Sequence, residues 1–215
     1  MTSPTLMQQR FRGYLPVVID IETSGFNNAT DAMLELAFIT LCFDEQQQLV
    51  PKTIIHHHIM PFEGAHLCPK SLAFTGIDPF NPLRGAIDEK QALTTSIKII
   101  KEEMKLEHCN RAIVVAHNAH FDQGFLRAAM LRAHVKRDPF HPFSSIDTAS
   151  LAAVFYGQSV LAKACKAAKI EFSSDEAHSA LYDADRTATL FCKMVNSYQA
   201  LGGWQFAEES QGEGG

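Results

Sequence analysis

Hydrophobic positions along the chain follow two rhythms. From Tyr14 to Glu22 they run almost unbroken through Val17, Val18, Ile19 and Ile21, as a strand buried on both faces requires. From Ala32 to Asp44, Leu34, Leu36, Phe38, Thr40 and Cys42 share one face, with Ile39, Leu41 and Phe43 on the other, which predicts a second strand. Val50 to Met60 is β-branched and histidine-rich and predicts a third. Short turns join the three, favouring an antiparallel meander. The first turn, Gly25 to Thr30, contains Gly25, Asn27 and Asn28, all tolerant of positive φ.

The period then becomes helical. Pro69 to Ile77 predicts a short helix, and Asp88 to about Glu107 a long amphipathic one with Leu93, Ile97, Ile100 and Met104 inward. Ala112 to Ala116 is a short apolar strand of the parallel, buried type, followed by a helix to about His134. Phe143 to Ile146 predicts another strand, Asp147-Thr148 opens a helix, and Leu161 to Ala168 makes one more. The last, Ala177 to Tyr198, carries Leu181, Ala188, Phe191 and Val195 on one stripe. A meander followed by βα units predicts an α/β fold: a mixed five-stranded sheet, first three strands antiparallel and the rest parallel, flanked by helices. Residues 1–12 are expected to form a mobile N-terminal arm, residues 13–206 one domain, and the Glu- and Gly-rich residues 207–215 a disordered tail.

Composition removes some function classes and leaves others open. No run approaches the roughly 18 apolar residues that span a membrane, and Met1 to Arg12 lacks the apolar centre of a signal peptide. The five cysteines are odd in number, scattered and without a C-x-x-C pair, as expected of reduced thiols in a cytoplasmic protein. A net charge of -5 is unfavourable for a polyanionic partner, yet the cations are bunched. Arg10 and Arg12 flank Phe11; Lys98, Lys101 and Lys105 are spaced as one helix face; Arg127, Arg132, Lys136 and Arg137 follow. Charge alone leaves the partner open.

Candidate chemistry begins in the first strand. Asp20 and Glu22 are two residues apart, so both point to one side of it. Two acids on one face of an apolar strand repel each other and lose hydration unless a cation lies between them. The bland alternative puts Glu22 in water past the strand end and Asp20 in a turn. Asp122 follows the fourth strand at a helix start, where an acid is stabilising in any case. His178 and Asp183, five apart, are about 140° round a continuous helix and meet only if His178 lies in the loop before it. Asp185 is expected to be solvated. Glu35, inside the second strand, is better explained by an edge position or a cross-strand pair than by catalysis. In His56-His57-His58 the middle ring points away from the other two, so the three cannot bind one ion, and a solvated or cross-strand-paired strand is the better account.

Together, Asp20-Ile21-Glu22-Thr23, His117-Asn118-Ala119-His120-Phe121-Asp122 and His178-Ser179-Ala180-Leu181-Tyr182-Asp183 resemble the three motifs of the DEDDh family of 3′→5′ exonucleases. That resemblance implies a ribonuclease H-like fold. Further stretches, Arg10-Phe11-Arg12-Gly13, Leu72-Ala73-Phe74-Thr75-Gly76-Ile77, Asn110-Arg111-Ala112-Ile113, Pro139-Phe140-His141-Pro142-Phe143 and Leu201-Gly202-Gly203-Trp204, are similar to a bacterial RNA-trimming branch of the family. The resemblance implies two Mg²⁺ per subunit, with Mn²⁺ as substitute, held by Asp20, Glu22, Asp122 and Asp183, with Asp20 touching both. Such a pair positions an attacking water and stabilises the leaving 3′ oxygen, while His178 takes a proton from that water.

The same resemblance implies trimming of short 3′ single-stranded ends of structured RNAs, tRNA above all, with release of nucleoside 5′-monophosphates, and single-stranded DNA as a further substrate. Fifteen Phe stand against four Tyr and one Trp. Most must be core, but the family likeness makes Phe26, Phe74, Phe121 and Phe143 base-stacking platforms. It also implies a homodimer in which Arg10, Arg12, Arg111 and Lys136 of one subunit feed RNA to the other. Lys70 departs from the pattern, which has an acid there, so the terminal-base preference is open. Two other functions compete: a DNA-directed exonuclease of the proofreading type, and a non-catalytic nucleic-acid scaffold with a structural metal.

Overall fold

A computed structural model of the chain describes residues 5–204. Five strands form one sheet: β1 (Tyr14–Thr23), β2 (Met33–Phe43), β3 (Leu49–His58), β4 (Arg111–Ala116) and β5 (Phe140–Asp147), in the order β3-β2-β1-β4-β5. β1 pairs antiparallel with β2 and parallel with β4; β2–β3 is antiparallel and β4–β5 parallel. This is the mixed sheet, antiparallel in its first three strands and parallel after, that the meander and βα units predict. Val17, Val18 and Ile19 are fully buried, and so are Leu34, Leu36, Phe38, Ile39 and Leu41, because helices cover both faces.

The helices are α1 (Leu6–Gln9), α2 (Pro69–Thr75), α3 (Glu89–Leu106), α4 (Ala119–Arg132), α5 (Thr148–Tyr156), α6 (Leu161–Ala167) and α7 (Ala180–Ala200), with a 3-10 turn at Pro82–Arg84. α3 begins at an Asp88 cap and buries Leu93, Ile97 and Ile100. α7 crosses the sheet on small residues. Ala180, Ala184 and Ala188 lie fully buried ahead of Phe191 and Val195, and Leu181 falls outside that stripe. Alanines let the helix axis approach the strands closely, which brings its first turn down to the end of β1.

The structure departs from the sequence expectations elsewhere too. Residues 5–12 are anchored rather than mobile: Met7 is fully buried, Thr5 Oγ1 donates to the Glu107 carbonyl at 2.9 Å, and Gln8 Nε2 donates to the His108 carbonyl at 2.8 Å. One apolar side chain and a capping box outweigh the polar composition of the segment. The turn after β1 forms where expected, without a positive φ; Gly25 is needed there for space, since a Cβ would lie 1.9 Å from Asp31 Oδ2. α7 starts at Ala180 rather than Ala177, because His178 adopts a left-handed φ of 67°. The tail at 207–215 lies outside the described residues.

Candidate active site

The acids gather where β1 ends. Asp20 and Glu22 project from its last residues, Asp122 sits in the first turn of α4 just past β4, and Asp183 sits in the first turn of α7. Asn118, at the α4 cap with φ 67°, makes the tight corner that turns Asp122 back toward β1. His178 lies in the loop before α7, and its backbone N–H donates to Asp183 Oδ2 at 3.1 Å. The loop placement therefore removes the 140° separation that a continuous helix would impose. One ligand atom each from Glu22, His178 and Asp183 falls within 4.8 Å of the others.

The electrostatics show what such crowding costs. Asp20 is pushed well above the usual carboxylate range, first by burial and then by Asp122, Asp183, Glu22 and Glu35. Glu22 is pushed up to about 8 by burial, Asp183 and Glu35. Burial also raises Asp122, with Glu22 and Asp147 adding to it against the backbone amides of Asp122 and Ile21. Asp183 is raised by burial although the His178 amide, His178 and His117 oppose it. Asp183 Oδ1 is buried with no hydrogen-bond partner. Four carboxylates that hold protons tightly, with an unpartnered buried oxygen among them, are a donor set that fits hard divalent cations.

Aromatic residues border the acids. A cavity of about 370 Å³ is lined by Glu22, Phe26, Lys70, Phe74 and Phe121 among others. Phe26 and Phe74 are 86% and 67% exposed, far from the burial expected of core phenylalanines. Phe26 meets Phe121 edge-on at 6.2 Å between ring centres, and Phe74 lies 4.3 Å from the His178 ring. The Phe26 turn is held by Asp31, which accepts from the Asn27 amide at 3.0 Å and lies 3.0 Å from His66 Nδ1. Phe143 is not at this cavity. It stands 87% exposed on β5 beside His141, whose ring in turn meets Tyr14.

The cations lie with Phe143 rather than with the acids. Arg10 stacks over Phe11 and Trp204, Arg12 over Tyr14, and Arg111 is the β4 partner of Tyr14. Lys136 is exposed between α4 and β5. Arg10, Arg12 and Arg111 precede or begin β1 and β4, so they occupy the end of the sheet opposite the acids, while Lys136 lies beside Lys98 and Lys101 of α3. Asp185 pairs with Arg186.

Two features were not assigned to the site from sequence. His117 bridges Thr148 Oγ1 at 3.0 Å and the Ser159 carbonyl at 2.9 Å, locking the β4–α4 corner to α5. Glu35 is the direct β2 partner of Glu22, and it is buried against His58 and His56 of β3. The histidine run is thus the cross-strand pairing expected for it; the signal for its relation to the site was register, which a single strand pattern does not contain.

Similarity to known proteins decides the family. The ribonuclease T exonuclease family model matches residues 17–191. Ribonuclease T of Photorhabdus laumondii is 54% identical over 212 residues, covering 99% of this chain and 98% of that one. Ribonuclease T of Escherichia coli K12 is 57% identical over 195 residues, 91% of each. The chain belongs to the ribonuclease T family. Among solved structures, Escherichia coli exonuclease I in complex with a dT13 oligonucleotide aligns over 88% of this chain with a TM-score of 0.65 and 20% identity. This chain spans 42% of exonuclease I, and the likeness is one of fold. Membership of the ribonuclease T family makes the chain an exonuclease whose chemistry depends on a divalent metal, with the acidic cluster as its candidate metal site. No helix among the described residues is long and apolar enough to cross a membrane.

Proposed function

We propose that this 3′→5′ exoribonuclease trims short single-stranded 3′ ends of structured RNAs, tRNAs among them, releasing nucleoside 5′-monophosphates. The observation that carries the reading is the junction of four proton-retaining carboxylates and His178 with a cavity walled by exposed phenylalanines. The cations are two Mg²⁺, replaceable by Mn²⁺, and Asp20, Glu22, Asp122 and Asp183 hold them. When bound, they supply Lewis-acid charge to the scissile phosphate.

The protein's own residues do the rest. Phe26 and Phe121 stack on bases at the 3′ end, a contact worth roughly 1–3 kcal/mol per base and tolerant of sequence. Phe74 stacks likewise and packs on the His178 ring. His178 accepts the proton of the attacking water; its amide contact with Asp183 sets its distance from the cleft. Lys70 lines the same cavity, and an ammonium there donates to base acceptors where a carboxylate would accept from base donors.

Arg10, Arg12, Arg111 and Lys136 bind RNA phosphates. Tyr14 and Glu22 are eight residues apart on one strand, about 26 Å at the usual rise. A short 3′ end in the acid cleft therefore does not reach the cations of its own subunit closely, which supports a homodimer whose basic end serves the partner's cleft, with Phe143 belonging to that basic end. The five free cysteines fit a cytoplasmic setting.

The test is digestion of an RNA hairpin with a short labelled 3′ overhang, beside single-stranded DNA, with Mg²⁺ and each of the four terminal bases. Stepwise release of mononucleotides from the RNA, halting at the duplex, is expected. Release from DNA alone would replace this reading by that of a DNA-directed enzyme, and no release from either would leave a binding scaffold.

A further inference from the structure

A carboxylate directly across from Glu22 should harm the acid cluster. Like charges on opposed residues of an antiparallel pair repel, and Glu35 raises the proton affinity of both Asp20 and Glu22. Such a residue needs a compensating role. Glu35 is only 8% exposed, and its Oε2 accepts from the backbone N–H of Ala180 at 3.1 Å, far away in sequence. Ala180 is the first residue of α7, and Ser179 at the cap of that helix makes no side-chain capping bond. The β2 carboxylate thus takes the place of a cap and puts negative charge at the N-terminus of a 21-residue helix.

The capped turn also carries the chemistry. His178, two residues before Ala180, has a left-handed φ of 67°, which is unfavourable for a residue with a Cβ. Asp183, three residues after, receives the His178 amide. Two carboxylates therefore fix this turn from either side. Two rings of β3 lie against Glu35: His58 Nδ1 is 2.9 Å from its Oε1, and His56 Nε2 is 3.8 Å from its Oε2.

We propose that Glu35, seated against His58 and His56, is a positioning residue that caps α7 from the neighbouring strand and thereby sets His178 and Asp183 over the cleft. The inference rests on His178 and Asp183 acting as described above.

Three proteins decide it: wild type, Glu35→Ala and Glu35→Gln, the last keeping an acceptor for the Ala180 amide. Loss of a group that orients a catalytic ligand costs about 10–100-fold in activity. Glu35→Ala should lose that much in kcat while KM for the RNA hairpin stays within about twofold, because Glu35 does not itself touch RNA. Glu35→Gln should recover most of the loss. Independently of turnover, amide exchange in the metal-free proteins should be about tenfold or more faster at Ala180 in Glu35→Ala, with Leu190 and Phe191 of the same helix unchanged. Wild-type kcat in Glu35→Ala would overturn the proposal. So would equal loss of protection at Ala180, Leu190 and Phe191, which would mark a general loss of stability. If wild type itself released no nucleotide, the functional reading would fail, and the exchange comparison would still decide whether Glu35 caps the turn.

Discussion

The two ends of strand β1 carry opposite chemistry. At its C-terminal end, Asp20 and Glu22 meet Asp122 and Asp183 in a pocket where protons are held tightly. At its N-terminal end, Tyr14 is flanked by Arg12 and paired with Arg111, with His141 beside it and Phe143 next to His141. The acid end is built from buried and half-buried groups that only a fold can bring together, drawn from three different elements. The basic end is built from groups that need little more than a solvated surface. The first is therefore expected to fail sharply when one atom changes, and the second gradually, charge by charge.

The sharpest break should come at the acid end. Asp20→Asn or Asp183→Asn is expected to reduce hydrolysis to background with the circular dichroism spectrum intact; near-normal turnover in either variant would remove the assignment. Next in size is the basic end. Replacing Arg10, Arg12, Arg111 and Lys136 together by Ala should weaken RNA binding and flatten its salt dependence by about 0.7 for each phosphate left without its cation. An unchanged slope of log K against log salt would show these residues to be ordinary surface charge. Beside the acids lie the rings. Phe74→Ala and Phe121→Ala should each raise KM about 5–150-fold, the equivalent of roughly 1–3 kcal/mol of stacking. Unaltered binding of a single-stranded 3′ end would refute stacking at that position.

The smallest expected effect is one of stability. The Glu22 carboxyl titrates at about 8, above its ordinary 4.5, so the folded state binds that proton more tightly than the unfolded chain. Its contribution is full below about pH 4.5 and is lost as pH rises through about 8. Without divalent cation, Tm should fall over that window, Glu22→Gln should flatten the fall, and added Mg²⁺ should reverse it. A Tm independent of pH and of Mg²⁺ would mean that the acids do not form a cation site.

The contrast also explains what the sequence could and could not disclose. The strands were legible because β1 and β2 are apolar at nearly every position, and the acid motif was legible because Asp20 and Glu22 break that pattern at one end. Residues whose role depends on register were not legible. Glu35 looks like an accident within β2 until β1 is laid beside it with Glu22 opposite and β3 with His58 opposite. Phe143 shares its residue type and motif company with the cavity phenylalanines, and only the parallel direction of β5 separates them. The short α1 escaped because a single buried Met7 holds it, too little for any periodicity.

One experiment addresses both ends of β1 at once. Asp20→Asn protein and the fourfold basic-end variant are mixed under conditions that exchange subunits, and nucleotide release from the labelled hairpin is measured at moderate salt. If the basic end of one subunit serves the acid end of its partner, mixed dimers hold one complete site. With random pairing, about a quarter of the wild-type activity should return. Activity that stays at the average of the two separate variants would contradict the account.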